Sequence, residues 1–389
     1  MANPTTLNPA SGRIHVLEVM GNAIVGGMES CVQRLIERLP RERFTVTALC
    51  PFEGAFTDRL RALDVEVVVT PMPENPHWCS IQLATALVKA NAIDVLHAHL
   101  PNAHLLAALA GKLTGKPVLA SIHGRQLAVQ DIEVQRAAGT HLGVVCRQSY
   151  FHAIGVGINA AQVSYLPNGV DIETFKPGAR PEGGLRAEFN IPSDAQLVGF
   201  VGRLAWEKGP EVFLHAAQLL RQLAPQAHFV MIGGGEMEPE VRAFIKAHGL
   251  ERHVHLAGSR DDMPSIYRQF DVAVSTSHSE AMPLAIMEAM ACGLPVVAIE
   301  VGGIPELVEQ GQTGWLIRHE DFEGTARMVS KLLADPREIR RMGANARKRA
   351  VERFSLDASV ERLAQVMTRL VPSRAEQRRI GTIAREQST

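Results

Sequence analysis

Two glutamates, Glu280 and Glu288, are the only carboxylates in the small, apolar run SHSEAMPLAIMEAMACG. On one continuous helix they would lie about 80° apart around the axis and about two turns apart along it, a spacing that suggests a general acid and a general base. Pro283 argues against that continuity. Its fixed φ and missing N–H suit the first turn of a helix that begins there and runs to Gly293, a residue fit for the C′ position. Glu280 then belongs to the loop before the helix, beside the N–H groups of Ala281 to Leu284. Glu288 falls inside the helix among Ala, Ile and Met, where a lone carboxylate is costly and needs partners. A pair of ligand hydroxyls would serve, and so would a hydrogen bond to the neighbouring chain.

A second group of residues is cationic. Arg203 and Lys208 flank the loop GRLAWEKG, which follows the apolar run QLVGFV and precedes a helical period. That order aims a helix N-terminus at the carboxyl edge of a sheet, and two cations with a helix terminus can hold a diphosphate without a metal. The alternative is two ordinary surface cations. The first half echoes the order in IHVLEVMGNAIVGGMESCVQRLIERL, with glycines in its loop. His97 and His99 lie two apart in DVLHAHL and so share one face at the end of a strand. Nothing nearby supplies a third metal ligand with a recognisable spacing, so the pair reads as a polar cleft wall. His123 ends the strand of SIHG, and both a structural role and a cleft role fit it.

The elements that carry these residues alternate along the chain. RIHVLEVM, FTVTALC, VEVVVT, DVLHAHL, PVLASIHG, THLGVVC and VSYLPNG read as strands in the first half. QLVGFVG, HFVMIGG, VHLAG, DVAVSTS, PVVAIEV and GWLI do so in the second, with helical periods between them. Such alternation predicts two doubly wound parallel sheets of Rossmann type facing each other across a cleft. The Pro- and Gly-rich stretch near residues 173–193 reads as the linker. The predicted domains are residues 1–175, 176–355 and a C-terminal helix with a polar tail, 356–389, packing back on the first domain. Neither glycine loop has dinucleotide-binding spacing, and GVGINA at Gly155–Ala160 follows a helix instead of a strand, so it reads as a helix-to-strand connection.

Composition fits a globular two-domain enzyme: 389 residues, 46% hydrophobic and 21% charged. A net charge of −1 gives no basic excess for nucleic acid. Five scattered cysteines suggest neither a zinc ribbon nor a disulfide framework, and point to a reducing compartment. The N-terminal MANPTTLNPASGR lacks a secretory pattern, and no apolar run approaches the roughly twenty residues of a membrane span. The expected location is the cytoplasm, where peripheral contact at the inner face of the cell membrane is compatible.

Taken together, GRLAWEKG and SHSEAMPLAIMEAMACGLPVVAIEVGGIPELVEQGQTGWLI, preceded by GGMES, DVLHAHLP, SIHG and PNGVD, resemble the family 4 retaining glycosyltransferases of GT-B fold. The likeness runs from about Ile14 to Phe354 and includes the E-x7-E element of that family. It implies transfer of a sugar from a nucleoside diphosphate sugar to an acceptor hydroxyl with retention, in surface polysaccharide or glycolipid synthesis. The acceptor would be a glycan or glycolipid, with no metal and no other cofactor. By the same resemblance Arg203, Lys208, Gly26, Gly27 and Leu284 would meet the diphosphate, Glu288 the ribose and Arg260 the base. Glu280, Ala281 and Met282 would meet the donor sugar, and His123 with Glu280 would act at the reacting centre. The family commonly has Gly where this chain has Ala281, which bears on the sugar pocket. A GT-B epimerase or phosphorylase, or a non-catalytic sugar-nucleotide-binding protein, would share this architecture.

Overall fold

In the computed structural model, which describes residues 12–181 and 183–372, all thirteen apolar runs form strands. The first half supplies β1 (Ile14–Met20), β2 (Phe44–Cys50), β3 (Glu66–Val69), β4 (Val95–His99), β5 (Val118–Ile122), β6 (His141–Val144) and β7 (Val163–Tyr165). They form one parallel sheet in the order β3-β2-β1-β4-β5-β6-β7. The second half supplies β8 (Gln196–Val201), β9 (Ala227–Ile232), β10 (Val254–Leu256), β11 (Val272–Ser275), β12 (Val296–Ile299) and β13 (Gly314–Ile317). Their order is β10-β9-β8-β11-β12-β13, again parallel. Helices on both faces explain why the central strands read as nearly unbroken apolar runs: β4, β5 and β12 are buried at every position.

Each sheet reverses its order beside its first strand, between β1 and β4 in one and between β8 and β11 in the other. Open α/β sheets bind ligands at the carboxyl ends of the strands flanking such a reversal. The loops after β1, β4 and β5, and those after β8 and β11, carry the residues that the sequence singles out.

The chain divides into two compact units. Among the described residues the N-terminal unit comprises 12–145, 149–166 and 359–372, and the C-terminal unit 146–148, 167–181 and 183–358. The division at 166/167 falls earlier than the linker expected near 173–193, for a hydrogen-bonding reason. Within the C-terminal unit, Asn168 Nδ2 donates to the Met282 carbonyl at 2.9 Å and the Val170 N–H to the Phe354 carbonyl at 2.8 Å. The segment 167–175 is therefore part of that unit. The last helix, Leu356–Leu370, ties into the N-terminal unit through Glu361, which accepts from Arg43 at 2.9 Å. GVGINA connects the helix Arg147–Gly155 to β7, as its order predicts. The MANPTTLNPAS start and the tail from Ser373 lie outside the described residues. Among the described residues no helix is long and apolar enough to cross a membrane.

Candidate active site

The C-terminal unit builds its cluster from the loop after β8. Residues 202–209 lead from β8 into the helix Pro210–Leu223. Gly209 has φ +59°, and a Cβ there would stand 2.1 Å from the Thr276 carbonyl oxygen, so only glycine lets the loop pass the end of β11. The Gly233–Gly235 turn after β9 presses on the same loop. The Leu204 N–H donates to the Gly234 carbonyl and the Met237 N–H to the Leu204 carbonyl, both at 2.9 Å. Cβ atoms on Gly233 and Gly235 would come within 2.1 and 2.3 Å of the Gly202 and Leu204 carbonyl oxygens. Gly233 and Gly235 are thus explained by two backbones crossing in contact, whereas a Cβ on Gly234 would meet nothing nearer than 3.8 Å.

Held in this way, Lys208 sets its Nζ 2.5 Å from Glu280 Oε1, and Ser277 Oγ donates to the same oxygen at 3.0 Å. The two side chains are 27% and 10% exposed, so the pair is shielded from bulk water without being closed off. Arg203 is 60% exposed and pairs with Glu207 in the same loop. Burial pushes the Glu207 carboxyl up, but its backbone hydrogen bond and Arg203 outweigh that and hold it low. The Glu207 carbonyl in turn accepts from the N–H groups of His278 and Ser279 at 3.0 and 3.2 Å, which ties the loop after β8 to the loop after β11.

The segment holding Glu280 is clamped by its carbonyls. Gly302, at φ +57°, lies so close that a Cβ would overlap the Glu280 carbonyl oxygen at 1.5 Å, and a Cβ on Gly303 would reach the Ala281 oxygen at 2.0 Å. Asn168 holds the Met282 carbonyl. The N–H groups of Ala281 and Met282 make no hydrogen bond among the described residues. Leu284 follows at the positive end of the helix Leu284–Ala291. Pro283 is the N-cap, with ψ 121°, and so sits one place before the first turn where the sequence put it. Gly293, at φ +80°, follows the C-cap Cys292. Ala281 is not among the positive-φ residues, so its methyl costs no backbone strain.

Glu288 is 7% exposed and accepts from the Tyr267 hydroxyl at 3.1 Å, a hydroxyl that also reaches the Ala285 carbonyl at 3.1 Å. The core partner left open by the sequence is therefore Tyr267. Arg260 donates to both oxygens of Asp262, at 3.0 and 3.2 Å, and to Glu188 Oε2 at 2.7 Å. Those hydrogen bonds push its pKa up and commit its guanidinium to two carboxylates.

The N-terminal unit is organised differently. Gly26, the N-cap of the helix Gly27–Arg38, has φ −144° and ψ −166°, an extended conformation open to any residue, and a Cβ on Gly27 would meet nothing within 4 Å. Behind them Glu29 is buried and accepts from Asn22 Nδ2 at 3.0 Å. Register places Glu18 of β1 beside His97 of β4, and His99 beside Ser121 of β5. Glu18 Oε1 lies 3.0 Å from His97 Nδ1 and Oε2 lies 3.0 Å from His99 Nε2. The chain continues outward from His99 Nδ1 to His123 Nε2 at 2.9 Å, and from His97 Nε2 to Ser121 Oγ at 2.8 Å. His97 and His99 are 1% and 0% exposed, so the expected cleft wall is instead a buried network. A third potential ligand does stand beside the pair in Glu18, but both its oxygens are taken up by the two imidazoles.

A family model described as "Glycosyl transferases group 1" matches residues 184–349, and one described as "Glycosyltransferase Family 4" matches residues 25–174. The chain belongs to the family 4 glycosyltransferases. It is 26% identical over 373 residues to the Escherichia coli UDP-Gal:alpha-D-GlcNAc-diphosphoundecaprenol alpha-1,3-galactosyltransferase, covering 90% of this chain and 96% of that one. It is 29% identical over 357 residues to a D-inositol 3-phosphate glycosyltransferase of Corynebacterium jeikeium, covering 88% and 82%. In fold it resembles Anabaena HepE in complex with UDP, at 23% identity and TM-score 0.81, covering 91% of this chain and all of the other. A Rickettsia africae glycosyltransferase gives TM-score 0.82 at 18% identity, covering 93% and 99%. The fold is accordingly GT-B.

In this glycosyltransferase, the loops after β8 and β11 bring together Lys208 and Glu280, with Ala281, Met282 and Leu284 following directly. Arg203 shares their loop but reaches Glu207, and Arg260 is held by Glu188 and Asp262. Sequence reasoning missed Glu18, Glu207 and Tyr267. Glu18 alone left a signal, since it interrupts the otherwise apolar centre of a strand expected to be buried on both faces. Tyr267 becomes visible only when Glu288 is packed against it, and Glu207 only when the backbone of His278 and Ser279 reaches its carbonyl.

Proposed function

We propose that this glycosyltransferase moves a hexosyl group, with retention of configuration, from a nucleoside diphosphate sugar to a hydroxyl of a lipid-linked glycan or lipid at a membrane surface. The observation that carries the reading is the Lys208–Glu280 pair beside the unpartnered N–H groups of Ala281 and Met282 and the helix terminus at Leu284. Negative charge that develops on a departing diphosphate would meet Lys208, Arg203 and those amides, while positive charge on the sugar would fall beside Glu280. These groups supply the charge that a divalent ion supplies elsewhere, so the proposed reaction needs no metal. In the same reading Glu288 takes the ribose hydroxyls, with Tyr267 holding its carboxylate in place. Arg260 takes the base, Gly26 and Gly27 approach the diphosphate, and His123 touches the transferred sugar.

The acceptor class follows the relatives. One is named for a diphosphoundecaprenol-linked acceptor, and another, from Mycolicibacterium smegmatis and 28% identical over 281 residues, for a phosphatidylinositol monomannoside. Both names specify α-linkages, which retention delivers from an α-linked nucleotide sugar. The test is a panel of UDP- and GDP-sugars incubated with polyprenyl-diphosphate-linked and inositol-lipid acceptors in EDTA. Nucleoside diphosphate should appear together with a new glycosidic bond whose anomeric proton coupling matches that of the donor. Release with inversion, or turnover that requires added phosphate or metal, would overturn the reading.

A further inference from the structure

The network at the ends of β1, β4 and β5 determines where its hydrogens lie. Burial pushes the Glu18 carboxyl up, but the field of His97 and the hydrogen bonds from His97 and His99 more than reverse that and bring it to about 2. Glu18 is therefore a carboxylate, and a carboxylate only accepts. The nitrogen facing each of its oxygens must carry a hydrogen, which gives His97 Nδ1–H and His99 Nε2–H. Burial lowers His99 to about 4, so its ring is neutral and its Nδ1 is bare. His123 Nε2, 2.9 Å from that bare nitrogen, must then be the donor. Burial also holds His123 neutral, which leaves its Nδ1 as the nitrogen without hydrogen, and that atom has no hydrogen-bond partner among the described residues. The opposite tautomer of His99 would set a bare nitrogen 3.0 Å from a buried carboxylate oxygen, two acceptors facing each other with nothing between them.

We infer that Glu18 and His99 are positioning residues that lock His123 in its Nε2–H tautomer and present its Nδ1 only as an acceptor, for a hydroxyl of the transferred sugar or of the acceptor substrate. The role assigned to that Nδ1 rests on the reading of His123 as a group of the transfer site; the lock itself does not. The backbone around the network is equally constrained. Leu100, directly after His99, adopts φ +79°, and Asn102 Nδ2 donates to the carbonyls of Gly21 and Met72 at 2.9 and 2.8 Å, which fixes the turn out of β4. A non-glycine residue at such a φ is strained and persists only where its surroundings enforce it.

Glu18→Gln separates this role from packing, because it keeps the shape while allowing an amide N–H to face His99 Nε2. His99 would then carry its hydrogen on Nδ1, and His123 on Nδ1 as well. Long-range proton–nitrogen NMR correlation of histidine-labelled wild-type enzyme should show His123 protonated at Nε2 with Nδ1 in the unprotonated range. The Glu18→Gln spectrum should show the reverse. Kinetically, Glu18→Gln should lower kcat by about tenfold or more with donor KM within about twofold. Added to His123→Ala, it should change kcat by less than about twofold, because Glu18 acts through His123. His99→Gln serves the same cycle if Glu18→Gln does not fold, and the wild-type spectrum needs no variant. A wild-type His123 protonated at Nδ1, or losses from Glu18→Gln and His123→Ala that multiply, would overturn the inference. If His123→Ala transfers sugar at the wild-type rate while the Nε2–H tautomer is observed, the transfer-site reading of His123 and its acceptor role fail and the lock stands.

Discussion

The two units end the same architecture in different chemistry. At the carboxyl ends of β1, β4 and β5 the N-terminal unit buries one carboxylate among histidines, and its outermost group is a neutral ring held by hydrogen bonds of 2.8 to 3.0 Å. At the ends of β8 and β11 the C-terminal unit instead gathers full charges that stay partly exposed, set on loops that only glycine allows to approach so closely. A buried network built around one carboxylate fixes hydrogen-bond direction but offers an anion no exposed positive charge. A half-shielded Lys208–Glu280 ion pair with free amides offers charge and no fixed direction of proton donation. Only the second arrangement suits a leaving diphosphate, and only the first suits the orientation of a hydroxyl.

The sharpest way to break this contrast is to remove the cations. Lys208→Ala should lower kcat/KM for the nucleotide sugar by about 10²- to 10³-fold, the usual cost of deleting a preorganised charge-stabilising donor. Arg203→Ala should cost less, because Arg203 is 60% exposed and makes no bond to Glu280, whereas Lys208 also holds that carboxylate. Steady-state kinetics of both variants beside His123→Ala would decide the matter. A His123→Ala loss greater than that of Lys208→Ala would move the centre of transition-state stabilisation to the N-terminal unit.

Acid should separate the units next. His99 is lowered to about 4 by burial from an ordinary 6.5, so the unfolded chain takes up that proton first. The stability linked to His99 is complete above pH 6.5 and is lost as pH falls toward 4, on the order of 3 kcal/mol for a group shifted this far. Burial lowers His15, His123 and His141 in the same direction. Glu18, brought down to about 2 from 4.5, continues the loss between pH 4.5 and 2. In the C-terminal unit His228, His253 and His255 are lowered too, and there the carboxyls held low, Glu207 and Asp262, are more exposed than Glu18. Hydrogen exchange at pH 7, 5.5 and 4 should show peptides of β1, β4 and β5 losing protection before those of β8 and β11, and the reverse order would refute the comparison.

How much of this was legible in the sequence follows the range of the interactions. All thirteen strands were, because a strand buried on both faces is written locally as an apolar run between turn residues. Glu280 and Glu288 separated correctly because Pro283 is a local signal, although the helix starts one residue later than that signal suggested. The division after Leu166 was not legible, since Asn168 is assigned to its unit by Met282, more than a hundred positions away. Nor was the Glu18 network, which exists only once register brings β1, β4 and β5 side by side. His97 and His99 were read as facing a cleft because alternation gives the face of a strand and says nothing of what covers it.

Glycine offers a comparison of stability. Gly302→Ala would place a Cβ 1.5 Å from the Glu280 carbonyl oxygen at a φ of +57°, so the loop that carries Glu280 must move. The expected cost is about 1–3 kcal/mol, read in urea titrations followed separately by exchange in the two units, with the loss confined to the C-terminal unit and accompanied by weaker donor binding. A loss of stability with donor affinity intact would mean that the Gly302 contact does not hold Glu280 for its task.

Gly27→Ala is the counterpart in the N-terminal unit, and there the smallest effect is the informative one. A Cβ at Gly27 meets nothing within 4 Å, and the residue opens a helix, where alanine is preferred to glycine. Stability should change by less than about 0.5 kcal/mol, in either direction. Nothing among the described residues therefore requires glycine at this place, and the proposed approach of the diphosphate is what the substitution tests. A methyl there should raise the KM for the nucleotide sugar severalfold while the melting temperature stays put. If KM is also unchanged, Gly27 has no part in holding the diphosphate, and the charged loops of the C-terminal unit hold it without help from this helix.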